Sequence, residues 1–312
     1  MDDPFDRDAR AAHGVAETLE PGLRRVTCPN PGPMTFTGTQ TYILGRGGVA
    51  VVDPGPENAA HLAAIERALA PGERIEAILL THTHVDHSPG ARALAARTGA
   101  PVMGFGPHGA GLSARMARLE AEGAHLGGGE GADRATVPDR LLADGERVEG
   151  DGWAATALHT PGHLSNHLCF AVEAEGMAPG AVLSGDHVMA WATTMVSPPD
   201  GDMRAFMASL RRMRAREDRI YYPGHGAPVR DPRAMIDHQI RHRLMREEQI
   251  LRALPPEGAD VAALTARIYA EVDPALHPAA ARNVFAHLIG LIEDGRARHE
   301  GPLSPTARFF AA

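Results

Sequence analysis

The 312-residue sequence predicts an α/β fold, and three observations predict it. Between positions 22 and 103, short segments rich in β-branched residues alternate with amphipathic helical stretches. Strand-like segments recur between 153 and 222 around a further amphipathic helix. Histidine or aspartate then stands after one strand end after another, which is where α/β folds carry their functional groups.

The elements follow in order. Residues 1–20 show no clear period and read as a loose arm. Segments 23–26, 41–44 and 49–53, separated by Gly, Pro and Asn, read as successive strands, with Asp53 closing the third. Over 57–70, Leu62, Ile65 and Leu69 recur at helical spacing until Pro71 and Gly72 stop the run. A strand at 75–80, a helix at 89–97 closed by Gly99, and a strand at 101–103 complete the βαβα order. Residues 104–150 are rich in Gly, Ala and charge, with a helical candidate at 112–122 and three glycines at 127–129, and read as a mobile insertion able to act as a lid. Strands at 153–158, 169–172 and 181–184 precede a helix at 203–216, whose Phe206, Met207, Leu210 and Met213 share one face, and a strand at 220–222. Residues 1–230 therefore read as one domain. The remainder, 231–312, reads as a small helical one: helices at 232–254, 259–272 and 278–294, then a hairpin.

Composition narrows the class. With 44% hydrophobic residues, no apolar run long enough to span a membrane and an acidic N-terminus, a soluble, cytoplasmic protein with no membrane partner is expected. A net charge of -8 argues against a broad polyanion-binding surface. All 31 basic residues are arginine, which excludes lysine Schiff-base chemistry. Cys28 and Cys169 share no metal-binding spacing and read as buried thiols in a reducing compartment.

The stretch T-H-T-H-V-D-H-S at 81–88 leaves a strand. His82 and His84, two apart, point to one side, and Asp86 and His87 follow as the chain turns. A loop that merely collects histidines would explain that segment alone. The rest of the sequence decides otherwise: T-P-G-H, S-G-D-H and Y-P-G-H-G set His163, Asp186 and His225 after three further strands, each beside a glycine that lets the backbone turn closely. Imidazoles with carboxylates suit zinc with a position left open for water, and a purely structural site would need only four ligands.

The H-x-H-x-D-H run and the later motifs resemble the metallo-β-lactamase superfamily over roughly residues 22–228. That resemblance implies an αββα sandwich in which His82, His84 and His163 hold one metal, Asp86, His87 and His225 a second, and Asp186 bridges them. It implies two zinc ions, with iron or manganese as alternatives, and a catalytic Asp86 that takes a proton after attack. Asp53 is then either a support that orients ligands or a turn cap before Pro54. N-P-G-P-M-T-F-T-G-T-Q-T-Y-I-L-G at 30–45 is similar to the signature of the beta-lactamase-like protein 2 group, with Gln40 where asparagine is usual. H-R-L-M-R-E-E-Q-I-L at 242–251 resembles the start of that group's C-terminal winged-helix module. On its own periodicity, the same run makes 242, 243, 246 and 247 a solvated charged face, with Leu244, Ile250 and Leu251 turned to the core.

The implied activity is metal-dependent hydrolysis through a metal-bridging hydroxide, on a small ester or thioester as in hydroxyacylglutathione hydrolase. A single-strand endoribonuclease and a mononuclear iron persulfide oxygenase are the alternatives. Aromatics at 4% and a C-terminal module with balanced charge favour a small acyl substrate over nucleic acid. Its pocket is expected among the insertion, the loop 191–202 and the C-terminal module, lined by Met189, Trp191, Met195 and the methionines between 103 and 116. His167 and His187 read as packing or supporting residues, and His13, His61 and His108 as solvated.

Overall fold

The computed structural model describes residues 4–124 and 131–312; the three glycines at 127–129 lie outside them. The first sheet runs in the order β1 (Ala16–Glu20), β2 (Leu23–Thr27), β3 (Gln40–Leu44), β4 (Gly48–Val52), β5 (Arg74–Leu79), β6 (Val102–Gly104) and β7 (Arg140–Leu141). It is antiparallel as far as β4 and parallel beyond it. Parallel neighbours need crossovers, supplied here by α1 (Ala59–Arg67) and α2 (Gly90–Thr98). After α3 (Ala114–Ala121), the second sheet forms from β8 (Arg147–Gly150), β9 (Trp153–His159), β10 (Leu168–Ala174), β11 (Ala181–Gly185) and β12 (Ile220–Pro223), with α4 (Met203–Arg214) crossing between the parallel pair β11 and β12.

Alternation along the strands sets the layers. Tyr42, Leu44 and Leu79 of the first sheet meet Ala155, Phe170, Leu183 and Tyr222 of the second in one interior. The opposite faces carry the helices: Ile43, Val51 and Ile78 receive Leu62, Ile65 and Leu94, while Leu158, Cys169 and Tyr221 receive Phe206 and Leu210. The result is an αββα sandwich. Phe170 is wholly buried at its centre, and truncating it to alanine is expected to cost about 3–5 kcal/mol.

The chain continues through α5 (Pro232–Ala253), α6 (Val261–Ile268), a 3-10 turn (Pro274–Leu276), α7 (His277–Glu293) and the antiparallel hairpin β13 (Ala297–Glu300) and β14 (Arg308–Ala311). Ile250, Leu264, Phe285, Leu288 and Phe309 build a separate core there. Among the described residues, no helix is long and apolar enough to cross a membrane.

Three expectations are corrected. The N-terminal arm is not loose throughout: its last five residues form β1, paired with β2, and Phe5 packs against the α4 side of the second sheet. The described parts of the insertion are anchored, since β7 and β8 extend one sheet each and Met116 and Leu119 of α3 sit in the C-terminal core. The charged run on α5 faces inward. Arg243 is 2% exposed, whereas Leu244 is 46% exposed. Helix α5 packs on two cores at once, Met235 and Ile236 against the sandwich and Ile250 against the C-terminal cluster, so the simple one-stripe rule fails along it.

Candidate metal centre

The C-terminal ends of β4, β5, β9, β11 and β12 converge on one edge of the sandwich and bring together all seven side chains singled out above. His82 Nε2 lies 2.9 Å from His84 Nδ1, and His163 Nε2 lies 3.0 Å from the same atom. On the other side, Asp86 Oδ2 is 3.3 Å from His87 Nε2 and 3.2 Å from His225 Nε2, and those two nitrogens are 3.3 Å apart. Asp186 stands between the groups. Its Oδ2 is 3.6 Å from His163 Nε2 and 3.4 Å from His225 Nε2, and its Oδ1 is 3.5 Å from His87 Nε2.

The outer nitrogens explain why the inner ones converge. His163 Nδ1 donates to Met195 O at 2.7 Å, His87 Nδ1 to Asp53 Oδ2 at 2.9 Å and His225 Nδ1 to Gly38 O at 3.2 Å. His82 Nδ1 meets Thr81 Oγ1 at 2.9 Å, and that hydroxyl donates to Asp53 Oδ2 at 2.5 Å. A ring whose outer N–H is committed to an acceptor presents a bare lone pair inward. Lone pairs facing one another at about 3 Å repel unless a proton or a cation lies between them. This donor set fits metal ions.

Electrostatics point the same way. Burial and the surrounding imidazoles hold His82 well below its usual pKa, burial with His163 beside it takes His84 to about 3, and burial also lowers His163. Burial opposes protonation of His87 and His225 as well. There it is outweighed: Asp86, Asp186 and Asp53 push His87 well up, and Asp186 with Asp86 raises His225 to about 10. Asp86 and Asp186 are held low despite desolvation, by His87 and His225. The carboxylate side of the site demands positive charge.

Local backbone makes the approach possible. An added Cβ on Gly224 would stand 2.4 Å from Asp186 Oδ1 and 2.7 Å from His87 Cε1, so only glycine admits the chain there. The signature at 30–45 acquires a physical reason: Thr39 Oγ1 donates to Asp86 Oδ2 at 3.0 Å, Asn30 Oδ1 accepts from Thr39 N at 2.8 Å, and Gln40 Nε2 donates to Gly226 O at 2.5 Å. Asp53 caps no simple turn. It holds Thr81 N at 2.7 Å and takes a φ of +50°.

Two cavities share Met34, His163, Asp186 and Met195. One, of about 350 Å³, continues past Met189 and Trp191 to His242, Arg243, Arg246, Tyr269 and Asn283. The other, of about 310 Å³, passes His84, Asp86 and His225 to Gly131, Ser197 and Asp200. Met103 and Met116 line neither, being part of the interior and of the C-terminal core. The residues of α5 and α7 in the larger cavity escaped the sequence reading because they sit on helices that read as ordinary amphipathic surfaces. His167 Nε2 accepts from Asp186 N at 3.1 Å, and His187 packs edge-on against Phe206. His61 and His108 are not solvated: the first is wholly buried with its Nε2 2.8 Å from Thr41 Oγ1, and the second lies 3.0 Å from Asp200 Oδ1.

Comparison with known proteins adds the following. The profile described as "Metallo-beta-lactamase superfamily" matches residues 34–225, and that of the "Beta-lactamase associated winged helix domain" matches 261–302. A "Beta-lactamase-like protein 2 homolog" of Drosophila melanogaster is 29% identical over 296 residues, covering 90% of this chain and 91% of its own. An "Atrochrysone carboxyl ACP thioesterase" of Aspergillus fumigatus is 31% identical over 263 residues, 81% of this chain and 72% of its own. Among solved structures, a metallo-beta-lactamase family protein of Thermus thermophilus superposes with a TM-score of 0.74 at 26% identity, over 95% of this chain and all of that one.

Proposed function

The chain belongs to the metallo-beta-lactamase superfamily, and from that membership we propose that it is a dinuclear metal-dependent hydrolase of a small ester or thioester, working in the cytoplasm. The observation that carries this reading is the position of Asp186, within 3.4–3.6 Å of ligand nitrogens from both groups. His82, His84 and His163 would hold one ion, Asp86, His87 and His225 the other, and Asp186 both. Imidazole-rich donors favour zinc. When bound, the pair would supply Lewis acidity and bring the pKa of a water at the site to about 7.

The chain's own groups would do the rest. Met195 O, Gly38 O, Asp53 and Thr81 keep His163, His225, His87 and His82 each in one tautomer. Asp86, steadied by Thr39, would take the proton released as the acyl carbon is attacked and return it to the leaving group. Residues 1–230 would form the catalytic unit, and 231–312 would wall the larger cavity from the far side. Its apolar stretch past Met34, Met189, Trp191 and Met195 suits an acyl chain, and a relative at 31% identity bears a thioesterase name.

The test is a panel of esters, thioesters, lactones and a short unstructured RNA, offered side by side to metal-loaded protein. Thioester turnover that disappears in His84→Ala and His225→Ala supports the reading. RNA cleavage with every ester left intact overturns it.

A further inference from the structure

The larger cavity ends in an electrostatic anomaly. Arg243 donates through Nη1 to Asn283 Oδ1 at 3.2 Å and through Nη2 to Thr194 O, yet its buried Nε has no partner. Arg246 lies over the Tyr269 ring, 4.2 Å from its centre, and its Nε is likewise buried and without a partner. His242 Nδ1 makes a third. Among the described residues, neither arginine pairs with a carboxylate. The nearest acid in sequence, Glu247, is engaged by Arg296 at 3.2 Å and lies 3.7 Å from His287.

The two guanidinium groups stand at the end of the cavity beside Tyr269, Val272 and Leu276, while the one carboxylate of its lining, Asp186, belongs to the metal centre; Arg243, 2% exposed, thus lacks the counter-charge that burial of a cation requires. A purely structural role accounts for part of this. Arg243 holds Thr194 O, in the segment whose Met195 O orients His163. It does not account for Arg246, nor for three partnerless nitrogens on residues that all line one cavity.

We propose that this cavity binds the acyl portion of the substrate and that the acyl group carries a carboxylate, received by Arg246 and Arg243. The proposal rests on the hydrolase reading in one respect: the scissile carbonyl would lie at the cavity's other end, beside His163 and Asp186. The leaving arm then departs through the smaller cavity toward Ser197 and Asp200. A carboxylate suits the site better than a phosphate dianion. Arg243 is nearly desolvated and already holds two acceptors, and a planar single charge loses less hydration on entering.

Calorimetry on full-length, metal-stripped protein tests this without any turnover, using 4-phenylbutyrate, its amide and 4-phenylbutyl phosphate as probes. The carboxylate is expected to bind at least tenfold more tightly than the amide. Arg246→Gln, checked for an unchanged melting temperature, is expected to reduce the carboxylate to the level of the amide. Equal binding of carboxylate and amide by the wild-type protein overturns the proposal, and so does the absence of binding by all three. A tighter phosphate overturns the carboxylate assignment. Carboxylate binding indifferent to Arg246→Gln places the anion elsewhere, on the imidazoles of the metal centre. These outcomes are separable from failure of the hydrolase reading, in which the probes bind as expected and no ester in the panel is cleaved.

Discussion

Asp53 Oδ2 and His87 Nδ1 lie 2.9 Å apart, both side chains buried, with Asp53 in the left-handed region at φ +50°. Asparagine tolerates that backbone, so Asp53→Asn isolates the acceptor from the fold. The amide can still accept from Thr81 N, but it cannot satisfy both Thr81 Oγ1 and His87 Nδ1. His87 is expected to lose its fixed tautomer and metal affinity to fall about 10–100-fold, as is usual when such supports are removed. Chelator competition measures it, and an unchanged affinity would remove Asp53 from the support of the metal ligands.

Asp186 faces His163 on one side and His87 and His225 on the other, whereas His84 belongs to one group. Metal analysis of Asp186→Ala is therefore expected to show loss of both equivalents, and His84→Ala to retain part of one. Two equivalents kept by Asp186→Ala would remove the bridging assignment.

Gly224→Ala adds a single methyl in contact with Asp186 and His87. The centre is expected to distort while the sandwich, whose cores lie elsewhere, keeps its cooperative melt. A crystal structure with Asp186 unmoved would contradict the reading.

His287 is buried, with both ring nitrogens lacking hydrogen-bond partners, Glu247 at 3.7 Å and the charges of Arg243 and Arg246 nearby. Burial takes its pKa from 6.5 to about 4. With the folded value depressed, the unfolded chain binds the proton first as pH falls. The stabilising effect is whole above about 6.5 and lost progressively toward about 4. Denaturant titrations of metal-stripped protein across this window should show a shallower pH slope in His287→Leu than in wild type; identical slopes would count against it.

The sandwich was legible because its strands are short, β-rich apolar runs bounded by Gly, Pro and Asn, as in Thr41–Leu44, and because ligand-type residues follow one strand end after another. Strand β1 was not, since Ala16–Glu20 is a polar, exposed edge with no apolar rhythm. Supports such as Gly38 O and Met195 O are backbone atoms and leave no mark in side-chain chemistry. Arg243 and Arg246 were misread because an arginine lining an internal cavity and one in water have the same spacing. Gln40, noted only as a departure from a signature, proves to link Tyr42 to the loop that carries His225, accepting from Tyr42 Oη and donating to Gly226 O.

Helix α3, threaded between the two sheets in sequence, buries Met116 and Leu119 among residues of α6, α7 and the final hairpin, with Arg115 paired to Glu293. Ending the polypeptide at residue 230 would consequently strip shelter from a segment lying far upstream. A shortened protein of that kind should come out sticky and prone to aggregate.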